Sequence, residues 1–346
     1  MISIKDIIRD AADLGASDVH LSFGSAPKVR VDGELVDLPG YKPLTEDECE
    51  DISVQIIGTQ FPLIGEMDLS VEEAGHRLRV NLYRQSRHVA CALRILSDKI
   101  PELEKLGLPK VVSNFPSYDK GIVLVTGETG SGKSTTLAAI IKKINETKNA
   151  HIITLEDPIE YIHAEDKCLI DQREIGVDTD SYADGLRAIL REDPDVILIG
   201  EMRDLETTSI ALTAAETGHL VFATLHTNSA ADSIDRIVNI FPAERQQQVR
   251  MQLSTTLKAV LSQQLLKRRG GGRVAACEVM IVNPAIQNLI RDGKTPMIFS
   301  AIATSREIGG MTMDNCILEL YKNRAISAEV ALTAAHDEEY VRKSVM

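Results

Sequence analysis

The sequence has no tryptophan, and only six phenylalanines and seven tyrosines among its 346 residues. So few aromatic faces leave little from which to build a platform that stacks single-stranded bases. Positive charge is also short: 38 Lys and Arg stand against 51 Asp and Glu, a formal net charge of −13. That balance disfavours general nucleic-acid binding, whose main affinity term is cations neutralising phosphate. One small basic site on an acidic body stays compatible with it. The five cysteines (Cys49, Cys91, Cys168, Cys277 and Cys316) never stand at a C-x-x-C spacing. Their scatter argues against a zinc ribbon and predicts reduced thiols in a cytosolic protein. No apolar run approaches the roughly 18 residues of a membrane-spanning helix. Met1 to Leu14 is broken by Asp6, Arg9, Asp10 and Asp13, so no signal peptide is predicted. The chain reads as a soluble, acidic, intracellular protein of about two domains, each long enough to bury a core.

What is present divides along the chain. Ile4, Ile7, Ile8, Ala11 and Leu14 form a helical stripe, with Ser3 as its N-cap. Short strands are predicted over 18–23, 28–31 and 34–38, with Asp32-Gly33 as a hairpin turn. A second helix over 45–57 and strands over 69–74, 78–83 and 89–95 follow, so residues 1–97 read as a small α+β domain. Pro101, Gly107, Pro109 and Pro116 mark 98–120 as a linker with one short helical turn. From 121 to 346 the pattern changes. Short continuous apolar runs at 121–126, 151–155, 196–199 and 221–225 suit buried parallel strands, and a helix is predicted over 134–147. Strands alternating with helices predict a doubly wound α/β domain. From about 230 the chain reads as mostly helical. The exception is a hairpin around Gly270-Gly271-Gly272, whose flanking Lys267, Arg268, Arg269 and Arg273 read as a solvated basic tip.

Gly127-Glu128-Thr129-Gly130-Ser131-Gly132-Lys133-Ser134 fits G-x-x-x-x-G-K-[ST] at every constrained position, after an apolar strand and before a helix. The glycines let backbone N–H groups wrap phosphates, and the helix N-terminus adds its positive end. Lys133 supplies a cation for the β- and γ-phosphates, the Ser134 hydroxyl a ligand for Mg²⁺, and Thr135 a contact to the α-phosphate. Phosphoryl transfer to water also needs groups that hold the metal and orient the water. Such groups belong at strand C-termini. Glu156, Asp157 and Glu160 follow one apolar run. Glu201 follows another, after Gly200 where a Walker B segment usually has Asp. Glu201 then serves the Mg²⁺, and Glu160 is the better candidate for polarising the water. His219 and His226 flank the next strand, where each is read as a structural residue or a phosphate sensor.

These boxes, in this order, resemble the ATPases of type II and type IV secretion systems. Within that superfamily the chain is most similar to the twitching-motility retraction ATPases of the PilT type. The resemblance also takes in Ala16-Ser17-Asp18-Val19-His20, the short N-terminal domain and the lack of a four-cysteine module. Pro284 to Arg291 resembles the A-I-R-N-L-I-R-E signature of retraction ATPases, with Gln287 and Asp292 departing from it. The resemblance implies an α/β fold: a RecA-like P-loop NTPase core, a small N-terminal α+β (PAS-like) domain and a helical C-terminal region. It implies a homohexameric ring motor that uses ATP and Mg²⁺ to power type IV pilus retraction. It further implies a cytoplasmic protein, peripheral at the inner face of the cytoplasmic membrane, with an inner-membrane platform protein as partner and no nucleic acid. By position, Glu160 matches the catalytic glutamate, Glu201 the Walker B glutamate, and His219 and His226 the histidine box. Arg79 and Arg94 match arginines that the N-terminal domain sends to the phosphates, and Arg187 and Arg191 either support the site or pair with local acids. Pilus extension, type II secretion and conjugation are alternative machines for such an ATPase. A slow nucleotide-gated scaffold and a nucleic-acid translocase are alternatives of other classes.

Overall fold

The structure is a computed structural model that describes residues 2–31, 33–96 and 99–345. The chain divides into two compact units, Met1–Lys99 and Ile100–Met346.

The first unit packs two helices, α1 (Ile4–Asp13) and α2 (Glu46–Ile57), on one sheet. Its strands are β1 (Asp18–Ser22), β2 (Lys28–Val31), β3 (Glu34–Asp37), β4 (Glu66–Glu73), β5 (His76–Gln85) and β6 (His88–Ile95). They run in the order β3-β2-β1-β6-β5-β4, and every pairing is antiparallel. The apolar stripe of α1 (Ile4, Ile7, Ile8 and Ala11) is buried, and the Ser3 hydroxyl accepts from the Asp6 N–H. Thr45 and Glu48 close a capping box on α2, which ends at Gly58 with φ of 74°, a conformation glycine adopts without steric cost. Strand alternation buries Leu78, Val80 and Leu82 and so turns Arg79 to the opposite, exposed face. The expected turn residue Asp32 lies outside the described residues, while β2 and β3 on either side of it pair as Val31↔Glu34.

The second unit is built on a seven-stranded sheet of order β13-β12-β7-β11-β10-β8-β9. Its strands are β7 (Gly121–Thr126), β8 (His151–Glu156), β9 (Leu169–Glu174), β10 (Val196–Ile199), β11 (Leu220–Leu225), β12 (Leu257–Lys267) and β13 (Arg273–Ile281). All neighbours are parallel except β12 and β13. Both faces are covered, which is why β7, β10 and β11 are apolar at nearly every position. On one face Ile122 and Leu124 pack with residues of α4 (Tyr182–Ile189), α5 (Leu205–Glu216), α6 (Ala230–Asn239) and α7 (Ala243–Thr256). On the other, Val123 and Val125 pack with Leu137, Ile140 and Ile144 of α3 (Lys133–Thr147). Helices α8 (Pro284–Arg291), α9 (Ile298–Thr304), α10 (Met313–Lys322), α11 (Ala328–Ala334) and α12 (Glu338–Val345) complete the chain. Among the described residues no helix is long and apolar enough to cross a membrane.

Three features differ from the reading of the sequence. The expected linker is packed from Ile100 onward, with Ser97 and Asp98 outside the described residues. Turns of 3₁₀ helix at Leu103–Lys105 and Lys110–Ser117 bury Leu103, Val112 and Phe115, and Lys142 and Lys143 of α3 bind Glu102 and Glu104 at 2.6 and 3.0 Å. Proline there limits regular helix without freeing the chain. The edge strand β9 was not foreseen, because Leu-Ile-Asp-Gln-Arg-Glu has neither a continuous apolar run nor an apolar–polar alternation. Finally, the hairpin about Gly270 is much longer than its turn suggested, and β12 and β13 extend the central sheet inside a stretch read as mostly helical.

Candidate active site

The four boxes leave the carboxyl ends of β7, β11, β10 and β8, which are consecutive in the sheet. Parallel strands thus bring residues far apart in sequence to one edge. After β7 the chain turns on Gly127, Gly130 and Gly132, with φ of 137°, 78° and 94°. A Cβ on Gly127 would lie 2.3 Å from the backbone oxygen of Gln263 and 2.7 Å from Ser131 Oγ, so space as well as conformation requires glycine. Gly132 is the N-cap of α3, whose first N–H groups face the loop. Lys133 is buried, and its Nζ donates to the carbonyls of Gly127 (2.8 Å) and Glu128 (2.9 Å). Burial draws its pKa down, while the charges of Glu201 and Glu160 act in the opposite direction. Both carboxylates therefore lie within electrostatic reach of the P-loop lysine. Ser131 Oγ is buried without a hydrogen-bond partner. Thr135 Oγ1 and Tyr161 Oη share a 2.9 Å hydrogen bond.

Glu201 follows β10 after the single residue Gly200. Its carboxylate meets Arg203 Nη2 at 2.7 Å and His226 Nε2 at 3.2 Å. Burial raises its pKa, but these two partners outweigh that effect and the net shift is downward, so the group stays ionised at neutral pH. The preceding Gly200 stands where space is closed: a Cβ there would lie 2.7 Å from Tyr182 Oη, 3.1 Å from the Leu155 carbonyl oxygen and 3.3 Å from Glu156 Cα. An aspartate at this position would have no room. Glu156 behaves differently from Glu201. Burial pushes its carboxyl pKa up, and it accepts from Thr154 Oγ1 (2.7 Å) and Gln172 Nε2 (3.3 Å). Glu156 is the last residue of β8, at the start of the loop that carries Glu160. The Ile159 N–H, donating to Glu174 Oε2 at 3.1 Å, anchors the same loop. Glu160 itself is exposed in the loop that follows β8.

Two hollows border the P-loop. One of about 410 Å³ is lined by Glu128 to Ser131, Asn228 and Gln263. The other, about 570 Å³, opens beside Gly132, Thr135 and Thr136 between Leu106, Leu108 and Leu265, with Arg268 and Arg273 on its rim.

Comparison with known proteins matches this geometry to a family. The family described as "type II/IV secretion system protein" matches residues 1–345. The chain belongs to that family. The type IV pilus retraction ATPase PilT of Pseudomonas aeruginosa is 48% identical over 337 residues, covering 95% of this chain and 97% of the relative. A twitching motility protein of Neisseria gonorrhoeae is 45% identical over 321 residues, covering 90% and 85%. The crystal structure of the pilus retraction motor PilT with bound ADP superposes with a TM-score of 0.89 at 46% identity, covering 99% of this chain and all of that one.

In this secretion-system family member the two histidines part company. His226 closes on Glu201, whereas His219 sits at the opposite end of β11, roughly 20 Å away by strand rise. There its Nδ1 contacts the Ala214 carbonyl oxygen at 2.9 Å. Arg187 is paired with Asp184 at 2.9 Å and with Glu206, which fits a surface ion pair. Arg191 is exposed beyond the end of α4. In the first unit, Arg79 and Arg94 face each other across β5 and β6, and Arg94 Nε donates to Asp18 Oδ1 at 2.9 Å. The segment 284–291 forms α8, capped by Asn283, with Ile286 and Ile290 buried and Arg291 in its last turn. Reading the sequence missed Arg203, Tyr182 and Gln263 as neighbours of the site. Arg203 stands two residues after Glu201, a spacing that suggests a partner, but Tyr182 and Gln263 arrive from elements whose place in the sheet had to be known first.

Proposed function

We propose that this chain is a Mg²⁺-dependent ATPase that powers type IV pilus retraction. The observation that carries the chemistry is the glycine-turned P-loop with its buried Lys133, set at the same sheet edge as the strand ends that Glu201 and Glu160 follow. The likeness to PilT, a pilus retraction motor solved with ADP, extends over 99% of the chain, and this supports the assignment to retraction.

The P-loop N–H groups and Lys133 bind the β- and γ-phosphates, with Lys133 exchanging loop carbonyls for phosphate oxygens. The nucleoside is assigned to the 570 Å³ cleft next to Thr135 and Thr136. Ser134 and Glu201 offer a hydroxyl and an ionised carboxylate, the hard oxygen donors that Mg²⁺ prefers. When bound, the ion would screen the charge on the phosphates. Glu160 orients a water and accepts its proton. The water oxygen bonds to the γ-phosphorus as the bond to the β–γ bridging oxygen breaks, leaving ADP and phosphate. Arg203 and His226 keep Glu201 ionised and in place. Arg79 and Arg94 are assigned the role of supplying guanidinium charge to the phosphates in a closed state. We further propose a homohexameric ring acting on an inner-membrane platform protein from the cytoplasmic face.

Two measurements test this. Glu160→Gln is expected to lower ATP turnover at least a hundredfold, in line with removal of a positioned base, while ADP binding is kept. A change of less than threefold would remove Glu160 from the chemistry. Deletion of the gene is expected to leave excess surface pili without movement, whereas loss of pili would assign the motor to assembly.

A further inference from the structure

The P-loop has an unexplained neighbour. Gln263 lies on β12, one residue beyond Ser262, whose hydroxyl accepts from Thr126 Oγ1 at 2.8 Å and locks β12 against the last residue of β7. Gln263 is only 2% exposed, and its side-chain Oε1 has no hydrogen-bond partner. Ser131, 5% exposed, carries a hydroxyl that is equally unpartnered. The two residues line the same hollow. The Gln263 backbone oxygen and Ser131 Oγ both crowd the missing Cβ of Gly127, at 2.3 and 2.7 Å, so together these distances place the two oxygens within about 5 Å of each other. The Gln263 side chain, whose Oε1 is the unmet acceptor, belongs to a residue that lines the same hollow as the unmet Ser131 hydroxyl. Buried polar groups left unpaired are rare and costly in native proteins.

We propose that Gln263 is a positioning residue engaged only when phosphate fills the P-loop. Without phosphate, Lys133 Nζ holds the loop by the carbonyls of Gly127 and Glu128. Phosphate draws Lys133 away from them and lets the loop re-form around the anion. In that form the Ser131 hydroxyl donates to Gln263 Oε1. The bond ties loop occupancy to β12, and through β12 to the hairpin that ends in Lys267–Arg273. That hairpin is itself fastened to the C-terminal helices by the Arg269 N–H donating to the Ala325 carbonyl oxygen at 2.8 Å. Gln263 thereby reports phosphate binding to the C-terminal helical region. The inference rests on the nucleotide-binding reading of the P-loop given above.

A double-mutant cycle tests it with Ser131→Ala, Gln263→Met and the double variant in the full chain; Gln263→Leu replaces Gln263→Met should that variant not fold. Unfolding by urea without nucleotide is compared with ADP affinity from the fluorescence of a labelled nucleotide. Each single change is expected to weaken ADP binding about fivefold, and the double change no more than the worse single one. The unfolding effects without nucleotide are expected to add, because the bond is absent in that state. Effects on affinity that multiply to about 25-fold, single changes without effect on affinity, or equal coupling in nucleotide-free unfolding would each overturn the proposal. A parent protein that binds neither ADP nor ATP would overturn the nucleotide reading itself. Binding without coupling would remove only the role of Gln263.

Discussion

Gly200→Ala probes why the strand that ends in Glu201 lacks the usual aspartate. The Gly200 backbone is not among the positive-φ glycines, so conformation does not demand glycine there. Space does. A Cβ would stand 2.7 Å from Tyr182 Oη and 3.1 Å from the Leu155 carbonyl oxygen, where ordinary contact begins at 3.4 Å. Tyr182 opens α4 and packs against the core of the second unit, so its ring cannot swing clear without disturbing that packing. Over-packing of this kind costs about 1–3 kcal/mol. In a domain of this size each kcal/mol lowers Tm by about 2–4 °C, so a drop of about 2–12 °C is expected in a thermal melt. Tyr182→Phe removes the closest atom and leaves the 3.1 Å contact, which a shift of a few tenths of an ångström relieves. In the double variant about 1–2 kcal/mol of the loss should return, measured as a coupling in the cycle. Gly200→Asp should cost more than Gly200→Ala, because it adds a carboxylate beside Glu156, Asp157 and Glu201. Its deficit should grow as pH rises through the carboxylate range. The reasoning fails if Gly200→Ala costs less than about 0.5 kcal/mol, or if Tyr182→Phe restores nothing.

Other expectations follow from the electrostatics. Burial holds the His163 pKa down to about 4, below the ordinary histidine value of 6.5. The unfolded chain gains that proton near pH 6.5 while the folded chain resists until about pH 4, so this contribution to stability is complete above 6.5 and lost as pH falls towards 4. Its size is at most about 3 kcal/mol, and His163→Gln should flatten the fall in urea midpoint between pH 7 and 4.5; parallel curves for parent and variant would refute it. Arg79→Ala and Arg94→Ala are each expected to lower ATP turnover tenfold or more while changing stability by less than about 1 kcal/mol. Turnover at the parental level in both would end the assignment of these arginines to the phosphates.

Legibility differed between the two sides of the site. The P-loop was readable because its chemistry is local: three glycines, a lysine and a serine are fixed within eight consecutive residues, between a strand and a helix. The helix α1 was readable for the same reason, since its cap and its stripe lie within a dozen residues. Four of the parallel strands declared themselves by continuous apolar runs, which two covered faces require. β9 did not, because an edge strand has only one neighbour and its Asp171, Gln172 and Arg173 can face solvent or loops. β12 was hidden by Gln263 and Gln264, polar residues that occur there because the strand runs past the sheet alongside the P-loop. The length of the 98–120 stretch suggested a tether, yet Val112 and Phe115 are buried, and an apolar pair three residues apart was the signal available for packing.

The arginines of the first unit carry this argument one step further. Arg79 and Arg94 are fifteen residues apart in sequence, and only the antiparallel register of β5 and β6 makes them direct cross-strand partners. Like charges so placed destabilise a sheet. One is compensated: β1 sets Asp18 opposite Arg94, and burial raises the Asp18 carboxyl pKa while hydrogen bonds from Ser17 and Arg94 bring it below its usual value. Arg94 nevertheless keeps a side chain that is 64% exposed, and Arg79 lies on the same open face. A sheet selected for stability alone would have no reason to keep two guanidinium groups side by side, whereas a face that must meet a triphosphate would. The distinction is measurable. If the pair serves only the sheet, Arg79→Ala should be destabilising with turnover unchanged. If it serves the phosphates, Arg79→Ala should be neutral or slightly stabilising while turnover falls.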